Sequence, residues 1–168
     1  MKRGDGHPEL FYPGSVVFDL ESSNKYDAIR EIIRRAPVFQ AGLDRSSFTE
    51  RVIEREKLQS TGFGHGVAVA HGRTADVDRP RIALGVSRDG IAFDAVDGKP
   101  VHLLFIVANH PDKQMDYLRI LSTLVALVRN DAFRRELLCC GRAEEARRKL
   151  YEAFVSRYAT TGVAQNRS

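Results

Sequence analysis

The chain has 168 residues, 43% hydrophobic and 29% charged, with 13 glycines and 6 prolines. That size and balance suit one compact, soluble domain over 1–168 and exclude disordered, collagenous and purely coiled-coil classes. The formal charge is +4, but 141–168 hold six Lys or Arg against three Glu, so the tail carries +3 and the first 140 residues +1. With no stripe of basic residues interleaved with aromatics, direct nucleic-acid binding is not expected. The apolar runs 101–108 and 124–128 fall far short of the roughly 20 residues a membrane helix needs, so no membrane span is expected.

Met1 to Asp5 is charged and no apolar stretch follows, which predicts a cytoplasmic protein without a secretory leader. Ser15 to Leu20 reads as a short strand, and Ser22-Ser23-Asn24 offers caps for a helix. In that helix Ile29, Ile32, Ile33 and Ala36 recur at i, i+3, i+4 and i+7, and Pro37 ends the pattern. Ser47 with Glu50 three residues on predicts a capping box for a second helix carrying Phe48 and Val52 on one face. Glycines at 62, 64 and 66 then precede a short apolar strand, where they imply positive φ or a close approach of main chain.

Arg81 to Ser87 and Val101 to Ala108 are strand candidates, the second nearly all apolar, as in a strand covered on both faces. Ile91 to Gly98 between them reads as a short strand and turn. Tyr117, Leu118, Leu121, Leu124, Val125 and Val128 form a helical stripe, and Asp131 to Cys140 and Glu144 to Tyr158 read as two more helices. Adjacent Cys139 and Cys140 supply neither a disulfide framework nor spaced zinc ligands. Helices at both ends and strands between them imply an α/β sandwich, with helices on both sides of a mixed sheet.

Neutral imidazole is nucleophilic near pH 7 and can take and return a phosphoryl group. Of His7, His65, His71, His102 and His110, only His71 closes an apolar strand, precedes a glycine and has an arginine, Arg73, two residues on. In extended chain His71 and Arg73 point to the same side, an arrangement suited to an anion that glycine N–H groups and a forked guanidinium would hold. A metal site on His65 and His71 is the rival reading, but no Cys, Asp or Glu lies between them at ligand spacing. No Gly-Lys-Ser/Thr ends the glycine stretch and no Gly-x-Ser-x-Gly occurs, which excludes a Walker loop and a hydrolase elbow.

The stretch from Glu56 to Arg73, EKLQSTGFGHGVAVAHGR, resembles the active-site segment of the enzyme IIA proteins of the bacterial phosphotransferase system, fructose and mannitol class. A second block, Ile91 to Phe105, is similar to the free-standing nitrogen-regulatory branch, and the likeness extends over about 9–156. It implies a three-layer α/β/α sandwich with a mixed central sheet. It also implies a cytoplasmic phosphorelay protein in which His71 accepts phosphate from a histidine-phosphorylated, HPr-like carrier and regulatory targets read the result. The expected phosphoryl-binding set is Arg73, Gly64, Gly66, His65 and Tyr117, with no cofactor and no metal. Two positions depart from the family: Ala70 stands where it has proline, which predicts a less rigid loop, and Tyr117 stands where its second histidine faces the first. A sugar-transport IIA component passing phosphate to a IIB protein, and a binding module without phosphotransfer, remain as alternatives.

Overall fold

The computed structural model describes residues 9, 10 and 13–165, with side-chain environments from 13 to 160. Its strands are β1 (Glu9–Leu10), β2 (Val16–Val17), β3 (Gly62–Gly64), β4 (Val67–Arg73), β5 (Arg81–Ile91) and β6 (Val101–Asn109). The helices are α1 (Lys25–Arg35), α2 (Arg45–Leu58), α3 (Gln114–Val128), α4 (Asp131–Cys139) and α5 (Ala143–Gln165), with a 3₁₀ turn at Pro37–Phe39. Among the described residues no helix is long and apolar enough to cross a membrane.

The sheet runs β1-β5-β6-β4-β3, and β2 continues the edge that β1 begins along β5. β6 lies at the centre, antiparallel to β5 and parallel to β4, which accounts for its apolar run from Leu103 to Ala108. On one face Ala68, Ala70, Ala83, Leu104, Ile106 and Ala108 pack with α1 and α2. On the other, Val67, Val69, Ile82, Leu84, Leu103, Phe105 and Val107 meet α3, α4 and α5. The molecule is thus a three-layer α/β/α sandwich with a mixed sheet.

Ala68, Ala70, Ala83 and Ala108 on the α1/α2 face are small, and Gly72 and Gly85 carry no side chain, so those helices approach closely. A Cβ on Gly85 would lie 2.3 Å from Ile32 Cδ1, and one on Gly72 would lie 2.8 Å from Val52 Cγ2 and 3.0 Å from Phe48 Cε2. α1 seats over Gly85 and α2 over Gly72, the residue after His71.

Local chemistry explains where the elements depart from the sequence reading. Asn24 caps α1 by accepting from the Asp27 N–H at 3.0 Å. α2 begins earlier than the expected capping box, because the Asp44 carboxylate takes the Ser47 N–H at 3.1 Å and Ser47 becomes its third residue. The first expected strand shortens to Val16–Val17, since Asp19 has φ 55° and leaves the extended region. β5 runs on to Ile91 through a register shift that includes Gly90 at φ 91°, replacing the separate strand expected at 91–98.

Gly72→Ala should therefore drive a methyl group into Val52 and lower the unfolding free energy by about 1–3 kcal/mol. Urea denaturation reads this, and an unchanged midpoint would contradict so tight a seat for α2.

Candidate active site

His71 is the fifth residue of β4, in register with Val107 of β6. Strand alternation puts it on the α3 face with Val67 and Val69, and puts Arg73 on that face too. At the start of α3, Tyr117 stands against the imidazole, its hydroxyl 2.9 Å from His71 Nδ1 and the two ring centroids 4.5 Å apart. Arg73 Nη2 donates to Gln114 Oε1 at 3.1 Å, so its guanidinium is tied to the first residue of α3.

From the other side comes the C-terminal half of α2. Arg51 donates to the Arg73 carbonyl at 2.8 Å, and Arg55 donates to the Gln59 carbonyl at 2.9 Å. Next to Arg55, Glu56 is 1% exposed and its carboxylate accepts from Thr61 N (2.9 Å) and Thr61 Oγ1 (2.6 Å), with Lys25 Nζ at 3.7 Å. Ser60 Oγ donates to the Phe93 carbonyl at 2.8 Å. Helix α2, residues 59–61 and β3 are therefore fixed as one unit beside His71.

Val69 N–H donates to the Thr61 carbonyl at 3.3 Å, and among the described residues no strand flanks that edge of β4 beyond it. Strand alternation directs the N–H groups of His71 and Arg73 to this vacated edge. Two clefts open on His71. One, of about 630 Å³, is lined by Arg51, Glu54, Arg55, Leu58 and Arg73. The other, of about 490 Å³, runs along α3 past Tyr117, Leu121 and Val125 to Arg129, with Ser60 and Thr61 opposite.

Burial first, and then the positive charge of Arg55, push His71 down to about 4; a backbone hydrogen bond with Val69 opposes them and Arg73 adds to them. Burial pushes Tyr117 up to about 12. At neutral pH the imidazole is uncharged and the phenol protonated, so the pair presents one nucleophilic ring nitrogen within a cationic rim.

Other residues singled out in the sequence lie elsewhere. His65 and Gly66, at φ 58° and 75°, are the two central residues of the β3–β4 hairpin, which needs positive φ at both. The His65 N–H donates to Asp97 Oδ2 at 3.2 Å. At about 3.3 Å per strand residue, Gly64 and Gly66 stand roughly 13–16 Å from His71, so their N–H groups do not meet a phosphoryl group on its ring. The vacated β4 edge stands there instead. His65 lines only the 490 Å³ cleft. His102 Nδ1 is 2.8 Å from the Ser87 carbonyl, and His110 Nδ1 accepts from the Asp112 N–H at 3.0 Å. His7 lies outside the described residues. Ala70 is fully buried in β4 opposite Ile106, so no loosened loop carries His71.

Sequence reasoning missed Arg51 and Arg55. Their spacing of four puts them on one face of α2 just before the Glu56 stretch, which was the available signal.

Residues 9–153 match the family model described as phosphoenolpyruvate-dependent sugar phosphotransferase system, EIIA 2. The chain belongs to this family. The fructose-specific EIIABC component of Bacillus subtilis is 34% identical over 130 residues, 77% of this chain but only 20% of that protein, so the chain spans about a fifth of this relative. The nitrogen regulatory protein of Klebsiella oxytoca is 33% identical over 123 residues, 73% of this chain and 74% of the relative. Among solved structures, nitrogen regulatory protein IIA-Ntr from Neisseria meningitidis superposes with a TM-score of 0.75 at 35% identity, over 84% of this chain and 95% of that one. The enzyme IIA of the Escherichia coli mannitol IIA–phosphorylated IIB complex shares the fold, with a TM-score of 0.67 at 16% identity over 88% and 99%.

A histidine buried in its neutral form makes this EIIA domain sensitive to acid. Below pH 6.5 the unfolded imidazole binds a proton that folded His71 refuses until about pH 4, so stability present above 6.5 is lost as pH falls. Relative to His71→Gln, the wild type should lose stability between pH 6.5 and 4 with a slope of at most about 1.4 kcal/mol per pH unit. Denaturant unfolding across that range checks it, and parallel curves for the two proteins would contradict a neutral buried ring.

Proposed function

We propose that this chain is a cytoplasmic phosphorelay protein of the nitrogen-regulatory enzyme IIA type, reversibly phosphorylated on His71 by a histidine-phosphorylated, HPr-like carrier. The observation that carries this reading is the neutral His71 ring, held at Nδ1 by Tyr117, between two clefts with Arg55 on the wall of both. With Nδ1 engaged, Nε2 is the nitrogen left to attack. Its lone pair forms the new N–P bond in line as the carrier's N–P bond breaks, and that electron pair returns to the carrier's imidazole. Positioning and charge do most of the work in such a transfer. Arg55, Arg51 and the His71 and Arg73 N–H groups face the space where the equatorial oxygens would gather, and Arg73 reaches it by releasing Gln114. The regulatory type is supported by the superposition on the N. meningitidis IIA-Ntr, at a TM-score of 0.75 and 35% identity, against 0.67 and 16% for the mannitol enzyme IIA.

A second reading is supported by the E. coli mannitol complex, in which an enzyme IIA of this fold is paired with phosphorylated IIB. In that case the phosphorylated chain would hand its phosphate to a IIB protein. A binding module without phosphotransfer is the third.

Incubation with phosphoenolpyruvate, enzyme I and the carrier should give an acid-labile, alkali-stable phosphoprotein. His71→Ala should carry no label, whereas His65→Ala, His102→Ala and His110→Ala should keep it. Arg55→Ala should slow labelling by about 10²-fold, and Arg73→Ala by less, because Arg55 lines both clefts and Arg73 is tied to Gln114. Full labelling of His71→Ala removes the proposed acceptor, and an unlabelled, folded wild type puts the binding module first.

A further inference from the structure

Asn109 ends β6 opposite Arg73 and follows Leu103, Phe105 and Val107 on the α3 face. It is 3% exposed. Its Nδ2 donates to the Lys113 carbonyl at 3.0 Å, which fixes the amide's orientation. Its Oδ1 is, among the described residues, the one buried side-chain oxygen without a hydrogen-bond partner. A buried acceptor left so keeps its full desolvation cost, and native proteins meet it with a donor or a water. Asn109 shares with His71, Arg73, Gln114 and Tyr117 a cavity of about 20 Å³. One water needs roughly 10–15 Å³ and two or more polar partners.

Tyr117 has one hydroxyl proton and two places to send it. If the proton goes to His71 Nδ1, the ring's own proton is on Nε2 and the attacking lone pair is lost. If it goes toward Asn109, the tyrosine oxygen is free to accept from Nδ1–H. We propose that Asn109 is a positioning residue for His71, drawing the Tyr117 hydroxyl proton through a single water in this cavity and so holding the imidazole as the Nδ1–H tautomer. The chain of donors is His71 Nδ1–H to Tyr117 Oη, Tyr117 O–H to water, and water to Asn109 Oδ1. Gln114 Nε2 can donate to the same water without redirecting the phenol proton.

The inference rests on His71 being the phosphoryl acceptor and adds what sets its tautomer. During transfer no proton leaves the ring. Nε2 gains phosphorus, the carrier nitrogen keeps the electron pair of the broken bond, and the positive charge left on the ring is shared with Nδ1–H, which Tyr117 Oη already accepts. The tyrosine in place of a second histidine then has a defined role, supplying an oxygen acceptor to Nδ1–H provided its own proton has somewhere else to go.

Long-range ¹H–¹⁵N NMR of the full chain at pH 7 reads the tautomer without any phosphotransfer. Wild-type His71 should show a protonated Nδ1 and a lone pair on Nε2, whereas Asn109→Leu and Tyr117→Phe should each shift the ring toward Nε2–H. Labelling by phosphoenolpyruvate, enzyme I and the carrier should slow roughly tenfold in either variant, as for other residues that orient a reacting group. Asn109→Asp, which keeps an acceptor, should retain the wild-type tautomer. An Nε2–H pattern in the wild type overturns the proposal. So does a lowered melting midpoint for Asn109→Leu with unmoved nitrogen shifts, because Asn109 would then be structural only. Should Asn109→Leu fail to fold, the wild-type and Tyr117→Phe spectra decide. A wild type that shows Nδ1–H but takes no label supports the positioning role and counts against the phosphorelay reading alone.

Discussion

Helix α2 lies on β4 at a residue with no side chain, and most of the site follows from that contact. Because Gly72 offers only hydrogen to Val52 and Phe48, the helix sits close enough for Arg51 to reach the Arg73 carbonyl and for Arg55 to stand over the two clefts of His71. Among the described residues no strand lies beside the end of β4, which leaves its edge N–H groups open. Glu56, one residue on, ties the end of the helix to Thr61 and limits how far β3 extends along β4.

Two opposing demands meet at His71. A nucleophile needs its lone pair, so the ring must stay neutral. A transferred phosphoryl group needs positive charge nearby. Burial and Arg55 satisfy both together: each disfavours protonation of the ring, and Arg55 also supplies the counter-charge an incoming anion would meet. A tyrosine facing the ring fits this arrangement of charge, since a second imidazolium would compete with the anion's other partners, whereas a phenol held near 12 stays neutral. What the tyrosine gives up in charge it supplies as an oxygen that can receive a ring proton.

Periodic signals in the sequence transferred well to the fold. Ile29, Ile32 and Ile33 lie on the buried face of α1, and the apolar run 101–108 is the central strand, because burial on one or both faces imposes spacing and composition. His71 and Arg73 were placed on a common side by strand geometry alone. The sequence was least informative where a choice among neighbours depends on three-dimensional contacts. Asp44 outcompetes Ser47 as the cap of α2, and Asp19 breaks an apparent strand by turning left-handed. The glycines at 64 and 66 were read correctly as demanding unusual backbone, which the β3–β4 hairpin uses. Arg55 was marked only by its spacing of four from Arg51, and Asn109 carried no local mark. Their importance arises from what α2 and α3 bring to them.

Burial and the charge of Arg55 keep His71 neutral. The most direct measurement is the NMR titration of the His71 ring carbons in the full chain, alongside Arg55→Ala. A midpoint near 4 in the wild type, moving up when Arg55 is removed, is the expected result. A wild-type midpoint near 6.5, the ordinary value for an exposed imidazole, would contradict the account whatever the phosphotransfer assays return.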